Sequence, residues 1–133
     1  MKTLIVHNRY QHKGGEDAVV LSEKNLLAGH GMDVELLEVN NDAIVNLRGK
    51  LAASVSMFRS AHGVELLEKS IARFKPDVVH VHNWFPTLSP GAFWACKKRG
   101  IPVVHTLHNY RLLCANGLLF RDGGVCEDCV GTA

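Results

Sequence analysis

The sequence lacks long apolar runs, a strong excess of charge and a recognisable targeting segment. Its continuous apolar stretches are short, as at Leu4 to Val6, whereas crossing a bilayer takes about 20 residues. Met1-Lys2 leads directly into a predicted strand, so we expect no cleavable signal peptide and a cytoplasmic protein. The formal net charge of +2 is too small to favour nucleic acid. The basic run Lys97-Lys98-Arg99 is predicted to be the last turn of a helix.

Tandem repeats, low-complexity linkers and the usual phosphate-loop signatures are also missing. Gly14-Gly15 is neither a GxGxxG fingerprint nor a Walker loop, since no GK[ST] follows it. The chain has 133 residues, 47% of them apolar, which allows one domain with a real core but not two comfortably. We therefore predict a single domain over 1–133, in which 109–133 form a cysteine-containing loop and hairpin segment.

The apolar pattern predicts strands that alternate with helices. Strands are predicted at Thr3 to His7, Met32 to Val39, Asp77 to His82 and Ile101 to Leu107. Helices are predicted from Glu16 to Gly29, around Leu47 to Phe58, from Val64 to Phe74 and from Pro90 to Arg99. Such alternation implies parallel strands joined by right-handed crossovers. The predicted fold class is therefore α/β, with a Rossmann-like, open, doubly wound parallel sheet.

Two segments of the chain, PDVVHVHNWF and IPVVHTLHNY, end in the same polar chemistry. His82-Asn83 follows the third predicted strand and His108-Asn109 follows the fourth, while His7-Asn8-Arg9 follows the first. Open parallel sheets bind ligands beyond the carboxyl ends of their strands, so we predict a binding site there. Because side chains alternate along a strand, His80 and His82 share a face. His80 is expected to pack inside and His82 to lie at the tip.

Gly14-Gly15 is a second candidate site, because it follows the first strand and opens the first helix. Glycine lets backbone N–H groups approach an anion, and the helix N-terminus adds partial positive charge. An ordinary flexible turn explains the pair equally well, and Glu16 and Asp17 would compete with an anion for the helix end. A zinc site made from the histidines is not expected, since the sequence places no carboxylate beside them.

The cysteines form two groups. Cys96 lies on a predicted helix face and is expected to be buried. Cys114 precedes the CxxC pair Cys126 and Cys129, with a predicted hairpin turn at Asp122-Gly123 between them. These three thiols would suit a structural zinc ion if a fourth ligand is supplied, for example by His108 or water. A disulfide-like clamp, unligated thiols and a redox pair remain open alternatives.

Three segments together resemble the N-terminal half of a family 4 glycosyltransferase with the GT-B fold. They are HNRYQHKGGEDAVV, KPDVVHVHNWFPTLSP and IPVVHTLHNYRLLCANGLLFRDGGVCEDC, and they cover nearly the whole chain in the family's order. The resemblance implies transfer of a sugar from a nucleotide diphosphate to an acceptor hydroxyl, with retention of configuration. It also implies that catalysis requires no cofactor.

The resemblance assigns roles to particular residues. The catalytic residue would be His108, which would contact the hydroxyls of the donor sugar. The donor diphosphate would lie near Gly14 and Gly15. The acceptor would be bound by Arg9, Tyr10, His82, Asn83 and Trp84.

The chain also departs from the family pattern. Family members are much longer, and the spaced pair of glutamates in their donor-binding half has no counterpart here. We therefore expect this fragment to be inactive alone. Its partners are expected to be a nucleotide-sugar and a glycan or lipid-linked acceptor, with peripheral membrane contact and a homodimer through an exposed sheet edge as further expectations. The alternative functions are a non-enzymatic sugar- or nucleotide-binding module and a small zinc protein.

Overall fold

The computed structural model describes residues 1–9, 14–40, 61–85 and 87–130. Its strands are β1 Lys2–Arg9, β2 Asp33–Asn40, β3 Val78–Asn83, β4 Val103–His105, β5 Phe120–Arg121 and β6 Gly124–Val125. Its helices are α1 Gly15–Gly29, α2 Ala61–Phe74 and α3 Gly91–Lys98. The predicted helix around Leu47 to Phe58 and the predicted acceptor residue Tyr10 lie outside the described residues.

The main sheet is parallel and has the strand order β2-β1-β3-β4, which confirms the predicted α/β fold class. After β2 the chain crosses to the other side of β1 to form β3. The direction of strand addition therefore reverses between β1 and β3, and open sheets bind ligands at such a point. The carboxyl ends of β1 and β3 consequently form the expected position of a site.

The apolar core lies on the face of the sheet that α2 and α3 cover. Leu4 and Val6 of β1 and Val79 and Val81 of β3 form one buried cluster with residues of these helices. The helix residues fully or largely buried in the cluster are Leu67, Ile71, Ala92, Ala95 and Cys96. The predicted apolar face of α2 and the burial of Cys96 are thus confirmed, and burial raises the pKa of the Cys96 thiol.

Helix α1 covers the opposite face of the sheet with little apolar contact. Val20 is buried and Leu27 is half-buried, whereas Val19 and Leu26 are exposed. The helix ends at Gly29, and Gly31 follows with a left-handed φ of 77°. This end matches the predicted glycine stop, because glycine adopts that conformation without strain.

Two strands differ in length from their predictions. β1 continues to Arg9, because β2 pairs with it over its full length. Asn8 and Arg9 are therefore strand residues rather than the start of a loop. β4 covers only Val103–His105 instead of Ile101 to Leu107. It pairs with β3 on one side and forms an edge among the described strands, where Val104 is 51% exposed. Self-association through this edge stays a prediction.

The hairpin predicted around Asp122-Gly123 is present as β5 and β6. Phe120 pairs with Val125 and Arg121 pairs with Gly124. Asp122 and Gly123 have φ angles of 52° and 83°, as in the two-residue turns that match the twist of antiparallel strands. Arg121 also contacts Asp128 Oδ2 at 2.6 Å, which connects the hairpin to the residues after it.

The close approach of α2 to the loop before α3 gives a test of the packing. A Cβ at Gly63 would lie 2.3 Å from the carbonyl oxygen of Thr87. Gly63→Ala is therefore expected to reduce the free energy of unfolding by about 1–3 kcal/mol, although alanine favours helices. Urea denaturation measures this change. Gly29→Ala is the matched control, since a Cβ there meets no atom within 4 Å, and equal stability of the two variants would refute the close contact.

Candidate functional site

Histidine side chains of β3 meet on the face of the sheet that α1 covers. His80 and His82 of β3 both point to this face, as their alternation predicts, and their ring centroids are 4.3 Å apart. The register between β1 and β3 shifts at this level, since Val6 pairs with Val81 but His7 pairs with Asn83. His82 is thus the additional residue of a bulge, a device that often redirects a side chain near a functional site.

His82 lies deeper than its predicted position at the tip. It is 2% exposed, whereas His80 is half-buried. Burial, together with the neighbouring imidazoles of His80 and His108, lowers the pKa of His82 to about 4. The ring is therefore neutral at physiological pH, with one N–H donor and one lone-pair acceptor. The expectation that His80 is packed and hydrogen-bonded is confirmed, since its side chain is 12% exposed and contacts Thr106 and Glu23. His82 lies near the end of β3 as expected, but the segment after β4 covers it.

His108 and His82 are in direct contact. His82 Nδ1 lies 3.1 Å from His108 Nε2, within hydrogen-bonding distance, and the rings are stacked with centroids 5.3 Å apart. His80 forms a similar link to the residues after β4, since its Nε2 lies 2.8 Å from Thr106 Oγ1. Both imidazoles of β3 are therefore held by polar groups that follow the neighbouring strand.

Glu23 of α1 completes the cluster and was missed by the sequence analysis. Its Oε1 lies 2.5 Å from His80 Nδ1, and its Oε2 lies 3.3 Å from His82 Nε2. The second approach lacks hydrogen-bonding geometry, so among the described residues His82 Nε2 is buried without a hydrogen-bond partner. A sequence signal existed, since Glu23 lies three residues after Val20 and four before Leu27, within the stripe of α1 that faces the sheet.

A second polar cluster joins β1 to the start of α1. Asp17 Oδ1 lies 2.9 Å from His7 Nε2, and Asp17 Oδ2 accepts a hydrogen bond of 2.8 Å from the backbone N–H of Gly14. Burial by itself would raise the pKa of Asp17, but these hydrogen bonds and the nearby charges of His7 and Arg9 outweigh it, so the pKa lies below 3.8. Asp17 therefore accepts the Gly14 N–H that an anion at this helix end would use, and the predicted competition between the two stays a prediction.

The predicted site residues divide between separate cavities. His82, Asn83, Trp84 and His108 line one cavity of about 20 Å³, room for about one water molecule. His108 also lines a neighbouring pocket of about 360 Å³, together with Leu107, Asn109, Tyr110, Leu112 and Leu113.

Gly14 and Arg9 line a different pocket, of about 380 Å³, together with Asp17 and Glu38. Arg9 Nη1 is 3.2 Å from Glu38 Oε1, so Arg9 faces β2 and not the histidine cavity. Trp84 packs edge-on against Phe93, and the Asn83 amide donates to the backbone oxygen of Asn8. The structure thus groups His82, Asn83, Trp84 and His108, and it separates Arg9 and Gly14 from them.

The three cysteines of the last segment do not bring their sulfurs to one point. Within the described ranges, a single group of three or more side chains has its potential metal-binding atoms close enough to share an ion. This group is Glu23, His80 and His82. Cys114 instead has its sulfur 3.0 Å from Asn116 Oδ1. Backbone hydrogen bonds, with that of Leu119 the strongest, lower the pKa of the Cys114 thiol. Zinc binding by Cys114, Cys126 and Cys129 stays a prediction.

Comparison with known proteins identifies the family. The model of Glycosyltransferase Family 4 matches residues 14–121, most of the chain. The chain belongs to glycosyltransferase family 4. The match begins at the glycine pair before α1 and ends in β5, so it contains the histidine cluster and the polar start of α1. A search of curated proteins gave no match.

A solved structure supports the fold assignment of this family 4 chain. The crystal structure of UDP-GlcNAc 2-epimerase from Neisseria meningitidis, bound to UDP-GlcNAc, is similar with a TM-score of 0.58 and 19% sequence identity. The likeness covers 88% of this chain but 36% of the epimerase, so this chain corresponds to about a third of that enzyme. At this identity the comparison shows the Rossmann-like fold alone. In the described ranges, no helix combines the length and apolar character that a bilayer span requires.

The pairing of Asp17 with His7 and Gly14 predicts a measurable effect on stability. In Asp17→Asn the side-chain amide has one oxygen and one NH₂ group in place of two oxygens. If the oxygen faces His7, the NH₂ group lies against the Gly14 N–H, and these two hydrogen-bond donors repel each other. We expect the free energy of unfolding to fall by about 1–3 kcal/mol at pH 7. Chemical denaturation checks this, with the exposed Asp33→Asn as control, which should change stability by less than about 0.5 kcal/mol.

The same variant should show a defined pH dependence. The folded pKa of Asp17 is below 3.8, so its contribution is present above that value and is lost as pH falls through the folded pKa. The stability difference between wild type and Asp17→Asn should therefore shrink on acidification below pH 3.8. A difference that stays constant down to pH 2 would refute the role of the carboxylate.

Proposed function

We propose that this chain is the N-terminal part of a retaining glycosyltransferase that moves a sugar from a nucleotide-diphosphate sugar to an acceptor hydroxyl. The observation that carries the proposal is the contact of His82 with His108 at the carboxyl ends of β3 and β4, in a chain of family 4. Imidazoles donate and accept hydrogen bonds, which suits the hydroxyl groups of a sugar. His108 is the proposed catalytic residue, since it borders both the histidine cavity and the larger pocket beside it.

The donor diphosphate is proposed to bind at the start of α1, near Gly14 and Gly15. A helix N-terminus provides unpaired N–H groups and partial positive charge that stabilise a pyrophosphate as it leaves. The adjoining pocket of about 380 Å³ lies in the size range of small-molecule sites. Asp17 occupies the Gly14 N–H in the free protein, so donor binding must displace or reorient this carboxylate.

The acceptor is proposed to enter beside His108. The pocket of about 360 Å³ there is lined by Leu107, Leu112, Leu113 and Tyr110, which suits an acceptor with an apolar part, such as a lipid-linked glycan. His82, Asn83 and Trp84 lie on the other side of His108. This arrangement supports a role in polysaccharide or glycolipid synthesis at a membrane surface.

The described residues supply one wall of a GT-B cleft, since the chain corresponds to 36% of the epimerase it resembles. In the proposed enzyme a second Rossmann-like domain holds most of the donor and faces this wall. We therefore expect the 133-residue chain to bind ligands weakly and to transfer no sugar by itself. Residues 109–133 would belong to the same domain, where they would form a cysteine-containing segment at the acceptor side.

NMR titration of the isolated chain tests the donor assignment. UDP should shift the backbone amides of Gly14 and Gly15, whereas UDP-GlcNAc should shift these amides and also the His108 imidazole. Gly15→Ala should weaken binding of both by about tenfold, or 1.4 kcal/mol, because the methyl group would keep the diphosphate from the backbone. The variant should fold normally, since the added Cβ meets no atom within 4 Å.

Gly29→Ala at the other end of α1 is the matched control and should bind both nucleotides like the wild type. Equal affinity of Gly15→Ala and Gly29→Ala would refute the donor site at α1. A His108 imidazole that responds to neither UDP-GlcNAc nor UDP-glucose would refute its sugar contact and favour a nucleotide-binding module.

A further inference from the structure

We propose that Glu23, His80 and His82 form a binding site for a divalent transition metal ion of the zinc class. The three side chains each offer a ligand atom, and these atoms all lie within 4.8 Å of one another. Two imidazole nitrogens and a carboxylate are a ligand set that Zn²⁺ accepts, whereas Mg²⁺ and Ca²⁺ prefer oxygen ligands alone. The site lies between α1 and β3, separate from the three cysteines.

The strongest support for a cation at this position is the environment of His82 Nε2. This atom is buried, has no hydrogen-bond partner in the part of the chain that the structure describes, and faces a carboxylate oxygen of Glu23 at 3.3 Å. If Nδ1 donates its hydrogen to His108, then Nε2 is a bare lone pair directed at a negative charge. A cation between the two groups removes this repulsion. The 3.3 Å between His82 Nε2 and Glu23 Oε2 suits a shared tetrahedral ion, whose ligand atoms lie about 3.4 Å apart. The 2.5 Å contact between His80 Nδ1 and Glu23 Oε1 would lengthen as the ion replaces the hydrogen between them.

The other ring nitrogen of each histidine already has the partner that a metal-bound imidazole requires. His80 would bind the ion through Nδ1, and its Nε2 lies 2.8 Å from Thr106 Oγ1. His82 would bind through Nε2, and its Nδ1 lies 3.1 Å from His108 Nε2. Such outer hydrogen bonds fix the tautomer and orientation of metal-bound histidines and are typical of metal sites.

Access for the ion comes from the α1 side. The side chain of Glu23 is 25% exposed and that of His80 is 12% exposed, while that of His82 is fully buried. The ion would therefore bind with water in its open position next to Glu23. Binding would hold His82 in the tautomer that donates from Nδ1 to His108. The metal site depends on these contacts and not on the proposed transferase function.

Zinc binding to the untagged, metal-free chain tests the proposal, using competition with a chromogenic chelator. The wild type should bind at least one Zn²⁺ that excess Mg²⁺ does not displace, and binding to the Glu23 site should persist in Cys126→Ser. Glu23→Gln keeps the shape of the side chain but removes the charge and should abolish this binding. Thr106→Val, which removes the partner of His80, should weaken it by about 10–100-fold. Glu16→Gln, a carboxylate in the first turn of α1, is the matched control and should bind like wild type.

Co²⁺ substitution separates this site from the cysteines. Nitrogen and oxygen ligands give weak visible bands, whereas thiolate ligands add intense charge-transfer absorption in the near ultraviolet. Weak bands that persist in Cys126→Ser and vanish in Glu23→Gln support the proposal. Absence of zinc binding, binding unchanged in Glu23→Gln, or a spectrum that vanishes completely in Cys126→Ser would each overturn it. Circular dichroism of every variant confirms that a lost signal does not reflect unfolding.

Discussion

The alternation of side chains along β1, and along β3 up to the bulge at His82, is the constraint on which the rest of this domain depends. Both strands are covered on both faces, so each residue must suit one of two different layers. Leu4, Val6, Val79 and Val81 enter the apolar layer under α2 and α3. The residues between them, including His80, enter the layer under α1. A shift of either strand by one residue would exchange the two sets and bury the histidines in the apolar core.

The layer under α1 is unusual because it is buried and polar. Thr3 Oγ1, His7 Nδ1 and His82 Nε2 are all buried there without a hydrogen-bond partner among the described residues. Each such atom costs stability, by about 1–3 kcal/mol when it is fully desolvated. The apolar layer on the opposite face offsets this cost. Polar groups concentrated at the carboxyl ends of central strands are what a ligand site in an open parallel sheet requires.

Helix α1 connects the two polar clusters of this layer. Its first turn holds Asp17 against His7, and its third turn holds Glu23 against His80. The helix buries only Val20 completely, so its position on the sheet depends on these polar contacts more than on apolar packing. A ligand that reorients Asp17 would therefore act on the same helix that carries Glu23. This gives the start of α1 and the histidine cluster a physical connection through one rigid element.

The sequence by itself determined the element order, the parallel α/β class, the shared face of His80 and His82, and the hairpin turn at Asp122-Gly123. These features follow from local rules, namely the period of apolar residues and the backbone preference of glycine. Only the tertiary structure decided that His82 is buried, that Arg9 turns towards Glu38, and that Glu23 reaches both histidines of β3. Those outcomes depend on how α1 sits on the sheet and how the segment after β4 covers it. Contacts between residues that lie far apart along the chain carry no periodic signal in one sequence.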